Sequence, residues 1–373
     1  MAAGIELEII RQVALLQDQD SCKRQQAAQT LLSLARDDEN ELLIGRTAGV
    51  IENLVLLLKD EKAEVRQSAV GALINLTFHA ENERRITNTT GAIEGFIFLL
   101  RDTKAPVREY AAEALWNLVC DSNINQLLIG RMEGAITNLV FLLRDANALA
   151  RENAVGTLAH LALHTENQLR IAKTTEAIEN LILLLRDDAT LVREYAAGAL
   201  RNLSAHAESR LLIARTADAI ENLVLLLRDD KTEVRQSAAG TLWNLAVHTE
   251  NKLLVARTPG AIESLIFLLK DSTAEVRENA AATLMNLAVH DDNELLIAGT
   301  AGAIENLVLL LRDPHAEVRE NAAGALNNLA CNPSIAVLIT AEKARESSIL
   351  SIYFRPMPGR PHEPSDTEGP FVK

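Results

Sequence analysis

The order of apolar and polar residues in Glu233–His248, EVRQSAAGTLWNLAVH, is that of a helix with two unlike faces. At about 100° per residue, with Asn244 as origin, Leu242, Ala239, Arg235 and Ala246 fall on the far side. Glu233, Gln236, Gly240, Val247 and His248 fall within about 80° of the asparagine. The pattern predicts a helix that buries one face and presents a polar stripe centred on Asn244. Relatives of this stretch recur along the chain. Counterparts of Asn244 stand at Ser33, Asn75, Asn117, His160, Asn202, Asn286 and Asn328, in steps of 42, 42, 43, 42, 42, 42 and 42 residues. Arg235 recurs in step at Arg24, Arg66, Arg108, Arg151, Arg193, Arg277 and Arg319. A fixed period of this length predicts an all-α solenoid, in which each unit touches only its neighbours and one face of every unit joins a long surface suited to binding.

Ile5, Ile9, Val13 and Leu16 lie at helical spacing and Arg24–Leu34 is an atypical first copy, so 1–37 reads as an N-terminal capping repeat. Seven full units are expected over 38–333, each in three parts. The first helix is expected to open on a capping residue, at Asn40, Asn82, Asn125, Asn167, Ser209, Asn251 and Asn293. A left-handed residue is expected next, at Gly49, Gly91, Gly134, Gly260 and Gly302, with Glu176 and Asp218 in two units. A non-glycine there costs about 1 kcal/mol. The second helix, AIENLVLLLRD or a near copy, is apolar enough to be expected buried along most of its length. Asp60, Asp102, Asp145, Asp187, Asp229, Asp271 and Asp313 are expected to cap the third helices, with Pro314 at the first helical position of the last. Residues 334–354 read as a C-terminal cap in two segments. Residues 355–373 hold five of the nine prolines and read as a disordered tail.

Three helices in about 42 residues, with GAIENLVLLLRD followed by AEVRENAAGALNNLA, resemble the armadillo repeat over residues 5–345. The AAGALRNL at 196–203 is similar in style to the vacuolar-membrane scaffold and plakophilin branch. The resemblance implies a right-handed superhelix whose third-helix asparagines line a groove and hold the main chain of an extended peptide. That role carries over to Asn75, Asn117, Asn202, Asn244, Asn286 and Asn328, and not to His160 or Ser33. Importin-α is similar in architecture but places Trp four residues before the asparagine, where this chain has Gly71, Glu113, Gly156, Gly198, Gly240, Ala282 and Gly324. A nuclear-import or membrane-junction adaptor is therefore the alternative reading. Ala2 stands where a myristoyl acceptor glycine would be needed, so association with a vacuolar membrane is expected only through a partner.

A primary amide both donates and accepts, so each ladder asparagine can pair with a peptide main chain of any sequence. Helices stacked about 8–10 Å apart leave room for two or three residues of an extended strand per unit. The competing reading has the amides satisfied by their own neighbours. Changing Asn117 and Asn244 to Ala separates the two, since groove-facing side chains predict a melting temperature that holds or rises. Just before the ladder the residue varies from unit to unit, through Ile74, Trp116, Ala159, Arg201, Trp243, Met285 and Asn327, a position expected to lie outside the core. Trp116, Trp243 and Arg201 are expected to add selectivity, the tryptophans being either anchors or core filling. Glu109, Glu152, Glu194, Glu278 and Glu320 are expected to form either an acidic flank for Lys or Arg of a ligand or a plain solvated face. His79, His164, His206, His248 and His290 are expected at the ends of third helices, bonding the last carbonyls, with a pH-sensitive groove as the alternative. The Arg235 series lies opposite the ladder and must pair internally, with the turn aspartates or with Glu of the second helix.

Composition narrows the partners. A net charge of -14 argues against non-specific binding to nucleic acid or an anionic membrane, which leaves proteins, reached through extended and basic segments. Cys22, Cys120 and Cys331 are widely separated and lack metal-ligand spacing, which suits an intracellular site, cytoplasmic or nuclear. No apolar run approaches the ~18 residues of a membrane span, and the start lacks a charged signal-peptide entry. No phosphate loop, nucleophile elbow, HExxH or paired-cysteine motif is present. The expectation is a non-catalytic interaction scaffold without cofactor, metal or small-molecule substrate. A structural rod using convex or edge contacts is the reading from another class.

Overall fold

The third helices stack directly on one another and set the architecture. In the computed structural model, which describes residues 2–353, there are 24 helices and no strand. Ala2–Leu15 and Ser21–Leu34 form an opening pair, seven three-helix units follow, and one helix, Pro333–Tyr353, closes the array. The fourth unit shows the plan: Thr165–Lys173, Ala177–Leu184, then Thr190–Ser204. Residues 354–373, to which the disordered tail and the end of the C-terminal cap were assigned, lie outside the described residues. Where two closing segments were expected, Pro333–Tyr353 runs as one helix.

Alanine and leucine alternate on the buried face of each third helix. In the fifth unit Ala238, Ala239, Leu242, Leu245 and Ala246 are all fully buried. The alanines let backbones approach and each leucine contributes roughly 1.5–3 kcal/mol by leaving water. Successive third helices are the most extensively packed pairs in the chain, whereas the backbones of successive second helices lie farther apart. The stack is therefore tight on the third-helix side and splayed on the second-helix side, which makes the third-helix face the inner one.

A ladder of ion pairs runs through the array. The arginine of the opening pair and each third-helix arginine but the last reach the turn aspartate of the next unit, from Arg24–Asp60 at 2.6 Å through Arg151–Asp187 at 2.9 Å to Arg277–Asp313 at 2.7 Å. The same guanidinium donates to carbonyls of its own turn, as Arg66 Nη1 does to Asp60 O at 2.7 Å. These aspartates are not helix caps, contrary to the sequence reading. The third helices open on Lys62, Lys104, Asn147, Ala189, Lys231, Thr273 and His315. Each aspartate lies two residues earlier, where Oδ1 accepts an N–H of the turn, as Asp60 does from Lys62 at 2.9 Å, leaving Oδ2 for the arginine. Pro314 accordingly lies in the turn and not in the helix. Burial alone would raise the Asp313 carboxyl, but Arg277 and the His315 N–H and ring outweigh it and hold it at about 2.

The expected caps of the first helices shift as well. Those helices open on Asp37, His79, Ser122, His164, His206, His248 and His290. Asn82, Asn167 and their counterparts fall inside the first turn, buried, and four of them, Asn82, Asn125, Asn167 and Asn293, donate to the preceding first helix, as Asn82 Nδ2 does to Glu41 O at 2.8 Å and Asn167 Nδ2 to Gln126 O at 3.0 Å. The histidines thus begin first helices instead of ending third helices, because the third helices stop two or three residues short of them. His79 and His290 act as true caps, Nδ1 accepting the N–H of Glu81 and of Asp292, both at 3.2 Å.

The left-handed turn falls where expected. The five glycines have φ between 77° and 86°, and Glu176 and Asp218 adopt 62° and 60° in their place. The second helices are less buried than expected. One apolar side chain per unit faces outward, at Leu56, Phe98, Phe141, Leu183, Leu225, Phe267 and Leu309. These helices carry an asparagine row of their own that the sequence reading passed over. Asn222 Nδ2 donates to Ile182 O of the preceding unit at 3.2 Å while its Oδ1 accepts from Arg186 Nε at 2.6 Å.

Candidate functional site: the groove of the third helices

The six ladder asparagines all come to the inner face, half-buried and in line. Five of them give one amide N–H to the preceding unit. Asn75, Asn202 and Asn328 donate to main-chain carbonyls of Leu32, Ala159 and Met285 at 3.1, 3.3 and 2.9 Å. Asn117 and Asn244 donate to the hydroxyls of Thr77 and Ser204 at 3.0 and 2.9 Å. The side chains are therefore partly satisfied from within, so that joining units and facing the groove, offered by the sequence as alternatives, are combined in one amide. Their Oδ1 atoms accept nothing among the described residues and are not walled off from solvent. One acceptor and a second N–H per asparagine remain for a ligand.

In three units the residue before the ladder position, Trp116, Arg201 or Met285, reaches across to the next unit, where Gly156, Gly240 or Gly324, four residues before that unit's ladder position, leaves space. A Cβ on Gly156 would lie 3.4 Å from the Trp116 indole, and one on Gly240 would lie 2.9 Å from Arg201 Nε. Trp116 crosses Gly156 to meet Tyr195 of the unit beyond edge-on, ring centres 5.6 Å apart, with His160 beside that tyrosine at 6.4 Å. It is half-buried, and its Nε1 is enclosed with no acceptor among the described residues. Trp243 is likewise half-buried. Not every residue at this position lies outside the core: Ile74 and Ala159 are buried.

The five shoulder glutamates do not form a uniform solvated flank. Glu320 is exposed. Glu109 accepts from Asn147 Nδ2 at 2.6 Å, and Glu194 lies 3.2 Å from Lys231 Nζ. Burial pushes the Glu152 carboxyl up. Burial, then Glu317 and Glu275, raises Glu278, with Arg201 offsetting part of the rise. Arg201 lies half-buried across Gly240, and its guanidinium has no carboxylate or hydrogen-bond partner among the described residues. Glu113, named from the sequence only as a position without Trp, stands in the groove where most units have glycine and is raised first by burial and then by Glu109. The sequence reading missed Tyr110 and Tyr195, two of only three tyrosines in the chain. Among the described residues no three of His, Cys, Asp and Glu are placed to hold a metal ion, and no single helix is long and apolar enough to cross a membrane.

The model for the plant U-box protein armadillo-repeat region matches residues 109–288, and that for the non-SMC mitotic condensation complex subunit 1 matches residues 262–350. No curated protein sequence matches the chain. Among solved structures, an engineered protein is 29% identical, with a TM-score of 0.76 over 94% of this chain and 85% of its own. A designed armadillo repeat protein in complex with the peptide (KR)4 is 26% identical, with a TM-score of 0.56 over 64% of this chain and 99% of its own. A chain from work on the interaction between cadherin and β-catenin, 20% identical, shares the fold with a TM-score of 0.78 over 90% of this chain and 63% of its own. Three-helix units in fixed register, an inner asparagine row and these likenesses converge: the chain is an all-α solenoid with the armadillo-repeat fold.

Proposed function

We propose that the chain is a non-catalytic protein-interaction scaffold that holds an extended, basic peptide segment along the third-helix groove. The observation that carries this reading is the row of asparagine Oδ1 atoms left without an internal partner on an open face. An amide row of this kind grips a main chain whatever its side chains. Basic character follows from the carboxylates beside it: Glu113, Glu152 and Glu278 are raised by burial, so a ligand cation relieves their cost of ionisation. Trp116 and Tyr195 add aromatic surface on which a guanidinium can lie. That a designed relative binds (KR)4 supports the same chemistry. A cytoplasmic or nuclear location belongs to this proposal and accords with three free thiols.

Fluorescence anisotropy with an alternating Lys-Arg octapeptide tests it. Changing Asn117 and Asn244 together to Ala removes two main-chain contacts of about 0.5–1.5 kcal/mol each, so binding is expected to weaken about 5- to 150-fold. An affinity untouched by the double change removes the reading.

A further inference from the structure

The splayed, second-helix side carries a surface that the groove does not use. One helical turn beyond the exposed apolar row, every unit has an exposed cation, from Lys59 through Arg101, Arg144 and Arg186 to Arg312. Each is followed directly by the turn aspartate, but seven third-helix residues from Arg24 to Arg277 hold those carboxylates. The outer cations are left without a carboxylate among the described residues, and four of them lean on neutral groups instead. Arg101 Nε donates to Asn138 Oδ1 at 3.0 Å, and Arg228 Nε to Ser264 Oγ at 3.1 Å. Two of them lie over the apolar row itself, Arg101 at 3.9 Å from the Phe141 ring centre and Arg228 at 4.8 Å from that of Phe267. Between successive cations the surface opens into pockets, one of about 340 Å³ reached by Lys59, Phe98 and Arg101 and one of about 440 Å³ reached by Arg101, Phe141 and Arg144.

An exposed position tolerates any residue, yet this one is Leu or Phe in all seven units, 42–71% exposed. Scattered exposed apolar residues need no explanation, but a continuous line of them beside unpaired charge does. We propose that this outer face binds a second partner, an acidic polypeptide segment in polyproline II conformation, its carboxylates on the cation row and its apolar side chains on the Leu/Phe row. Units set at least 8–10 Å apart, and farther on this splayed side, call for an extended ligand, and polyproline II, at about 9 Å per three-residue turn, presents an acidic and an apolar side chain once per turn along the two rows.

The width of the site excludes broader ligands. Glu52, Glu94, Glu179, Glu221 and Glu263 are exposed in the first turns of the same helices, seven residues and so about 10 Å before the cations. A bilayer or nucleic-acid duplex covering the cations would also lie on the glutamates and be repelled, whereas a single strand fits beside them. A second copy could set glutamates against cations, but two outward-bowed faces meet over few units.

The test uses the full chain and a fluorescent peptide of seven Pro-Leu-Asp triplets. Binding is expected, weakening with salt. It is expected to fall at least tenfold when Arg101, Arg144 and Arg186 become Glu, and to be unchanged by Asn117→Ala with Asn244→Ala. Lys59→Glu with Lys270→Glu, side chains that make no hydrogen bond among the described residues, is expected to weaken it at least threefold and guards against misfolding of the triple variant. No binding at millimolar peptide, or binding indifferent to both sets, overturns the proposal. So does cation-row-dependent pelleting with phosphatidylserine vesicles in place of peptide binding, or cation-row-dependent dimerisation in sedimentation velocity.

Discussion

An asparagine of the inner row works on both sides at once. In Asn244 one N–H is committed to Ser204 while Oδ1 faces the groove, so the same side chain joins units and offers itself to a ligand. The double change of Asn117 and Asn244 to Ala is thus expected to weaken peptide binding and also to lower stability. Each lost hydrogen bond costs about 1 kcal/mol, and alanine's helix preference returns roughly half of that. Scanning calorimetry should show melting lower by about 1–2 °C, and unchanged or higher melting would mean the inter-unit bonds contribute nothing. The matched control is Leu242→Ala, fully buried on the opposite side, expected to cost about 2–5 kcal/mol without altering the affinity of the folded fraction. Glu176 offers a gain: at φ 62° its β-carbon is strained, and Glu176→Gly is expected to stabilise by about 1 kcal/mol. A urea midpoint that falls instead would contradict that account.

The third helix was the most legible element, since period and angle in Glu233–His248 placed Leu242 in the core and Asn244 on the open face before any coordinates. Its neighbours were less so, for physical reasons. Asn and Asp satisfy a helix start, a turn or a distant backbone equally well, so sequence could not tell that Asn82 would reach Glu41 of another unit or that Asp60 would hold Arg24. The second helix is ambiguous because Leu and Phe suit a core as well as an outer face, and it is packing that leaves Leu56 and Phe98 outside. Within the groove, the ladder was readable, but the bridge from Trp116 over Gly156 to Tyr195 spans three units and leaves no local signature. The carboxylates there make a prediction about acidity. In the free groove, burial raises Glu152 and Glu278 above the ordinary glutamate value of 4.5. A bound cation favours their charged forms, so binding of a basic peptide releases protons. Affinity is fully present at higher pH and is lost as pH falls through those raised values. Titration calorimetry in buffers of different ionisation enthalpy should detect the protons. Proton uptake, or affinity that holds below pH 4.5, would rule out a role for these groups.

The whole rod is governed by its register. Each arginine meets the aspartate of the following unit, so excising Ile220–Ala261, one period of 42 residues, hands Arg193 from Asp229 to Asp271 with the geometry unchanged. The shortened chain is expected to keep cooperative helical melting by circular dichroism, while a deletion of about half a period should not fold. Equal damage from both would mean that the ion-pair ladder does not set the register. The two non-glycine left-handed turns have a consequence of another kind. Glu176 and Asp218 fall in consecutive units, the fourth and fifth of seven. Solenoids ordinarily fray from their ends, but here the stored strain sits at the waist, so the rod should breathe there, its central amides exchanging with deuterium sooner than those of the units on either side.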